Sequence, residues 1–317
     1  MRRSCCLRRF EQHRPIGGTG LPANKFALHW QICLAQGVEF VEVERPSAHN
    51  PVSRYEYAAT PGRNSAMSDT FSAHCDEYHL SSRLFLKLDL GMERETVLHF
   101  FDSIKREFPR MRRLRRREDT ALVLEDEEGV GTNRTWLRLD ENSLRLGHHN
   151  PESRDSVERY ARVVFDRAPY HLTLGDLDYD HMEVVLGFDL EYRGNHDQLI
   201  AETLFAEGPM AAFLLSGPAY NVIDSQPFLG IALNEDCDTQ AYLEIKSRTT
   251  TFEVRTGQFE PQPLTVFLTL RRFWGFRESE SLLDAHANLL ELGYELAESK
   301  VVPLVVQPLA QAIASRP

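Results

Sequence analysis

Disulfide chemistry has almost no foothold in this chain. Its cysteines are Cys5, Cys6, Cys33, Cys75 and Cys237, an odd and scattered set of five. That pattern excludes a disulfide framework and points to a reducing cytoplasm. Long apolar runs are also missing, which excludes a helical membrane span. The basic start, Met1 to Arg9, is followed by Glu11, His13 and Arg14. A secretion signal needs an apolar stretch there, so none is expected. Positive charge is in deficit, with a formal net charge of -11. This sign opposes broad attraction to nucleic acid or anionic membrane. Gly17-Gly18-Thr19-Gly20 lacks the lysine and the strand of a phosphate loop. No nucleophile–histidine signature or cofactor motif emerges, so the sequence implies no cofactor.

What is present describes architecture. The 317 residues, 42% of them hydrophobic, can fill more than one core. The first 66 residues carry nine Lys or Arg against five Asp or Glu, so the acidic excess lies downstream. Pro46, Pro51 and Pro61 interrupt their periodicity, leaving Val38 to Val43 as the one regular stretch. A poorly ordered or irregular extension over 1–75 is the expectation, and a start site assigned upstream of Met67 would account for residues 1–66.

From there a strand-to-helix unit occurs twice, led by Leu86-Lys87-Leu88-Asp89-Leu90 and by Leu186-Gly187-Phe188-Asp189-Leu190. Alternation of Leu84, Leu86, Leu88 and Leu90 predicts a half-buried strand beginning near Ser82. Val97, Phe100, Phe101, Ile104 and Phe108 then form a helical stripe that Pro109 ends. Short strands follow at Ala121–Leu124, Leu137–Leu139 and Leu144–Leu146, with a reversal at Glu141-Asn142-Ser143. A helix capped by Asp155, with Glu158 as its box partner, buries Val157, Tyr160, Ala161 and Val164. The second unit begins with Val184, Leu186, Phe188, Leu190 and Tyr192 on one strand face, and a helix starts near Asp197. Strands are predicted at Phe228–Leu233, Ala241–Lys246, Thr251–Arg255 and Leu264–Arg271. A helix capped by Ser281 and Asp284 runs to about Glu298, and a short one covers Leu309–Ile313. Helices separated by runs of strands predict an α+β fold. It would hold two related units, 76–175 and 176–317, of mainly antiparallel sheet packed against helices, able to join as one continuous sheet.

The candidate chemistry is thin. Arg112, Arg113, Arg115, Arg116 and Arg117, with Arg110, form the sharpest charge feature, around an apparent turn. They suit an acidic protein or an anionic small ligand, or internal pairing with Glu125, Asp126, Glu127 and Glu128. Trp136 and Arg138 would adjoin the same surface. Asp176, Asp178 and His181 offer oxygen and imidazole ligands to a divalent ion near the junction of the units, with Asp189 available to orient water. Asp89 and Asp189 occupy equivalent places in the repeat and could meet across it. His74, Cys75 and His79 lack the spacing of a zinc finger, and His148-His149 falls in an apparent strand-to-helix turn. The function expected is a cytoplasmic binding or protein-interaction protein, with a metal-assisted hydrolase as the alternative.

Overall fold

The computed structural model describes residues 71–316, except 92, 118–119, 127–132, 218–220 and 275–280. Expectations for Val38–Val43, the glycine run at 17–20, the extension up to residue 70 and Glu127-Glu128 lie outside these residues.

The fold is α+β, with one antiparallel sheet packed against helices. Its strands are β1 (Glu77–Leu86), β2 (Met111–Arg116), β3 (Leu122–Asp126), β4 (Arg134–Asp140), β5 (Ser143–His149), β6 (Tyr179–Tyr192), β7 (Phe228–Ala232), β8 (Thr239–Lys246) and β9 (Gln262–Phe273). The sheet order is β2-β3-β4-β5-β1-β6-β9-β8-β7. β1 therefore pairs with the last strand of the meander that follows it, and β6 does the same with β9. β1 and β6 meet at the centre, with Arg83 opposite Glu183 and Leu80 opposite Leu186. The continuous sheet expected from the sequence is present.

The helices are α1 (Arg94–Glu107), α2 (Arg154–Leu172), α3 (His196–Leu204), α4 (Ala211–Leu214), α5 (Thr251–Thr256), α6 (Leu282–Leu296) and α7 (Gln307–Ala314). A π-helical segment, Ala297–Val306, joins α6 to α7. The β-period of two sorts the central strands cleanly. Tyr78, Leu80, Leu84 and Leu86 of β1 join Met182, Val184, Leu186, Phe188 and Leu190 of β6 in the core. Helices α1, α2 and α6 supply Phe100, Ile104, Tyr160, Phe165, Leu289 and Tyr294 to it. Gly293 of α6 sits directly over Leu186 and Leu270. The odd-numbered residues from Glu77 to Phe85 of β1 and from His181 to Glu191 of β6 point to the opposite face, which is mostly polar or aromatic.

Several local expectations need correction. β1 begins at Glu77 and stops at Leu86, so Leu88 lies past its end and is 68% exposed. The pattern of alternating leucines continued, but the ladder partners in β5 and β6 did not. The arginine tract is the edge strand β2, not a turn. Thr251–Arg255 is helical, because Thr250 and Glu253 form a reciprocal capping box at its start. α2 is capped by Ser153 and Ser156, while Asp155 merely occupies its first turn. His148 and His149 belong to β5. Ser281 does cap α6, by accepting the Asp284 N–H.

Candidate functional site

The register of the sheet aligns arginines across the face opposite its buried leucines. Arg115 lies opposite Val123, Val123 opposite Arg138, Arg138 opposite Arg145, and Arg145 opposite Arg83. Arg83 faces Glu183, which faces Arg271. Like charges directly opposite on neighbouring strands are unfavourable, and here three guanidiniums stand in consecutive register.

The carboxylates nearby satisfy most of the row unevenly. Glu125 is buried and pairs with both Arg113 and Arg115. Asp140 receives the Arg138 guanidinium at 2.8–2.9 Å and lies 3.9 Å from Arg83. Arg83 also donates to Ser143 Oγ at 2.9 and 3.1 Å. Glu183 accepts Arg271 Nε at 2.8 Å. Arg145 is different. Its guanidinium reaches Ser81 Oγ at 3.3 Å and lies over Trp136, 5.1 Å from the ring centroid. Among the described residues no carboxylate comes within 4.0 Å of it. Burial, then Arg83 and Arg138, push its pKa below the ordinary arginine value, against weaker help from Asp140 and Glu183. Arginine nevertheless remains charged in a protein.

Glycines make room for flat rings beside this row. Trp136 is the cross-strand partner of Gly147, and a Cβ there would stand 2.5 Å from the indole. His79 is the partner of Gly187, and its imidazole takes the space that a Cβ would need. Next to the arginine row, in register, run Trp136, Gly147, Ser81, Val185, Thr269 and Tyr242. The four middle residues are small or short, and the rings stand at the ends. Further along the face, Phe85 stacks on His181 with centroids 4.1 Å apart, and Arg83 caps Phe85 at the same distance.

The five tract arginines do not act as one cluster. Arg113 and Arg115 join the arginine-bearing face through Glu125. Arg112 donates its Nε to the Pro109 carbonyl. Arg116 lines a cleft of about 420 Å³ with Arg94, Leu98, Leu114 and Glu141. The Arg117 backbone closes the following turn onto Ala121. Internal pairing is thus part of their role, as Glu125 demonstrates. Trp136 and Arg138 do adjoin Arg115 through β3.

The acidic loop is structural where its contacts are seen. Asp178 accepts the Gly175 N–H at 2.8 Å, and His181 Nδ1 is 2.9 Å from Asp180. Among the described residues no three His, Cys, Asp or Glu are grouped to hold a metal ion. Asp176, Asp178 and His181 are accordingly not brought together as a ligand set. Asp89 lies beyond β1 and is exposed, whereas Asp189 sits within β6 and accepts Thr265 Oγ1 at 2.5 Å. The two carboxylates do not meet. Asp189 instead lies 3.7 Å from His79 Nδ1, and burial still holds the His79 pKa below its usual value.

A separate cleft of about 270 Å³ lies against Arg110, Arg134, His148, Ser156 and Tyr160. Tyr160 donates to the Trp136 carbonyl at 3.2 Å, and burial pushes its pKa up. His148 approaches Thr135 Oγ1 at 3.3 Å, and burial holds its pKa at about 4.

The residues missed from sequence are Arg83, Arg145 and Arg271. Each occupies the polar phase of a strand, which marks its face. Nothing in a single strand reveals which arginine stands opposite which. No protein-family model matches this chain, and no curated protein matches its sequence.

Proposed function

We propose that this chain is a cytoplasmic, noncatalytic binding protein that holds an acidic partner protein across the arginine-bearing sheet face. The consecutive register of Arg138, Arg145 and Arg83 carries the reading. A chain of net charge -11 concentrates guanidinium there and seats it among aromatic rings. Arginine beside aromatic surface is the composition that recognises carboxylates at protein interfaces. The sheet supplies a rigid frame, so little ordering accompanies binding. The same reading includes an internal duplication. It is supported by β1 and β6 each leading into a helix and then pairing with the last strand of the following meander.

A hexaglutamate peptide, titrated at low salt and followed by Trp fluorescence and amide shifts, tests the surface. Binding should perturb β1, β4 and β5, weaken with salt, and fall about tenfold in Arg83→Glu/Arg138→Glu. Equal binding to a hexalysine peptide, or shifts confined to other elements, would count against the proposal.

A further inference from the structure

Arg145 is the point where the face is incomplete. It lies in the centre of the arginine row, flanked on both sides by guanidiniums in direct register. Arg83 and Arg138 share the Asp140 carboxylate, and Arg271 has Glu183. Among the described residues, Arg145 has a hydroxyl and an indole face, neither of which carries charge. A half-buried guanidinium with like charges on either side raises the energy of the unliganded sheet. Such an arrangement gains most from a compact anion placed between the three side chains. The Trp136 indole already fills the space over Gly147, so the anion would meet the half-buried guanidinium from its outer side, between Arg138 and Arg83.

We infer that Arg145, flanked by Arg138 and Arg83 and bordered by Trp136, is the seat of a single oxyanion group. Resting on the proposed surface, this assigns the chemical group that its central position takes: a phosphate, or a carboxylate of comparable size. The planar fork of Arg145 would donate to two of its oxygens. Arg138 and Arg83 would approach from the neighbouring strands while keeping Asp140. Ser81 Oγ, now the acceptor of Arg145, could turn its proton toward the anion. The indole holds the guanidinium plane in place, so the fork is oriented before binding.

Inorganic phosphate is the first probe, added to the full chain at constant ionic strength. It should raise the thermal midpoint and shift the Trp136 and Arg145 resonances with one saturating isotherm. Arg145→Met keeps the apolar stem over the indole and removes the charge. It should weaken phosphate at least about tenfold, as expected for losing a charge-assisted bidentate contact. In phosphate-free, low-salt buffer the same variant should melt higher than the parent, because the repulsion is gone. A guanidinium that merely braces the sheet would give the opposite shift. Arg145→Lys keeps the charge without the fork, so it should bind phosphate with intermediate affinity and tests the same seat if the Met variant does not fold. Unchanged phosphate affinity in Arg145→Met, or in Arg145→Lys where only that variant folds, overturns the inference, as does no response to phosphate at tens of millimolar. Hexaglutamate is the second probe. Binding that ignores both Arg145 variants would sink the seat and leave the wider surface standing. Loss of both probes from the parent protein would remove both.

Discussion

Buried histidines set much of the acid sensitivity of this molecule. His286 of α6 meets Ser82 of β1 at 2.8 Å, tying helix to central strand inside the core. Burial lowers its pKa from 6.5 to about 4, and His148 behaves alike. Above pH 6.5 the imidazole is neutral in both folded and unfolded chains, and its contribution is complete. Between 6.5 and about 4 the unfolded chain takes up the proton first, so stability falls with pH. Each histidine should cost about 3 kcal/mol by pH 4. Urea titrations of the parent and His286→Asn at pH 7 and pH 4.5 measure this. The variant should start less stable yet lose less on acidification; an identical loss in both would exclude His286 as a source.

Elements here are bounded more by their caps and partners than by intrinsic propensity. α2 shows this at its start, where Ser153 accepts the Ser156 N–H and Ser156 Oγ accepts from Ser153. Ser153→Ala should destabilise the protein by about 1 kcal/mol. Asp155→Ala removes only an exposed first-turn charge and should cost less than about 0.5 kcal/mol at moderate salt. Chemical denaturation midpoints for the two variants settle the order. At the other end of the fold, helical structure continues past α6 through Pro303. Proline lacks the N–H that an α-turn needs, and the wider π turn accommodates the interruption. Val301, Val302, Val305 and Val306 stay buried through it. The sequence predicts a helix end at about Glu298, whereas helical structure runs on to α7.

On the scale of the whole molecule, the β1–β6 seam makes two halves share one core. Leu186 is fully buried at that seam, beside Leu80, Leu270 and Gly293. Leu186→Ala should cost about 2–5 kcal/mol. Far-UV circular dichroism and Trp fluorescence should still report one coincident transition. Separate transitions for the two halves would refute a shared cooperative core. Much of this architecture was legible in the chain. The alternation in Val184 to Tyr192 marked β6 and its buried face, and the stripe Val97, Phe100, Phe101, Ile104 marked α1. These patterns are local, because period two or 3.6 follows from backbone geometry over a few residues. The candidate site was barely legible. The arginine tract in β2 stood out by density, yet the central row is drawn from β4, β5 and β1, one arginine from each strand. Sequence by itself determined the class of the fold, the polar phase of the central strands and the sign of the net charge. Tertiary structure alone decided that Arg138, Arg145 and Arg83 stand side by side. Cross-strand register depends on hydrogen-bond pairing between distant segments, and a shift of two residues keeps every face while separating that row.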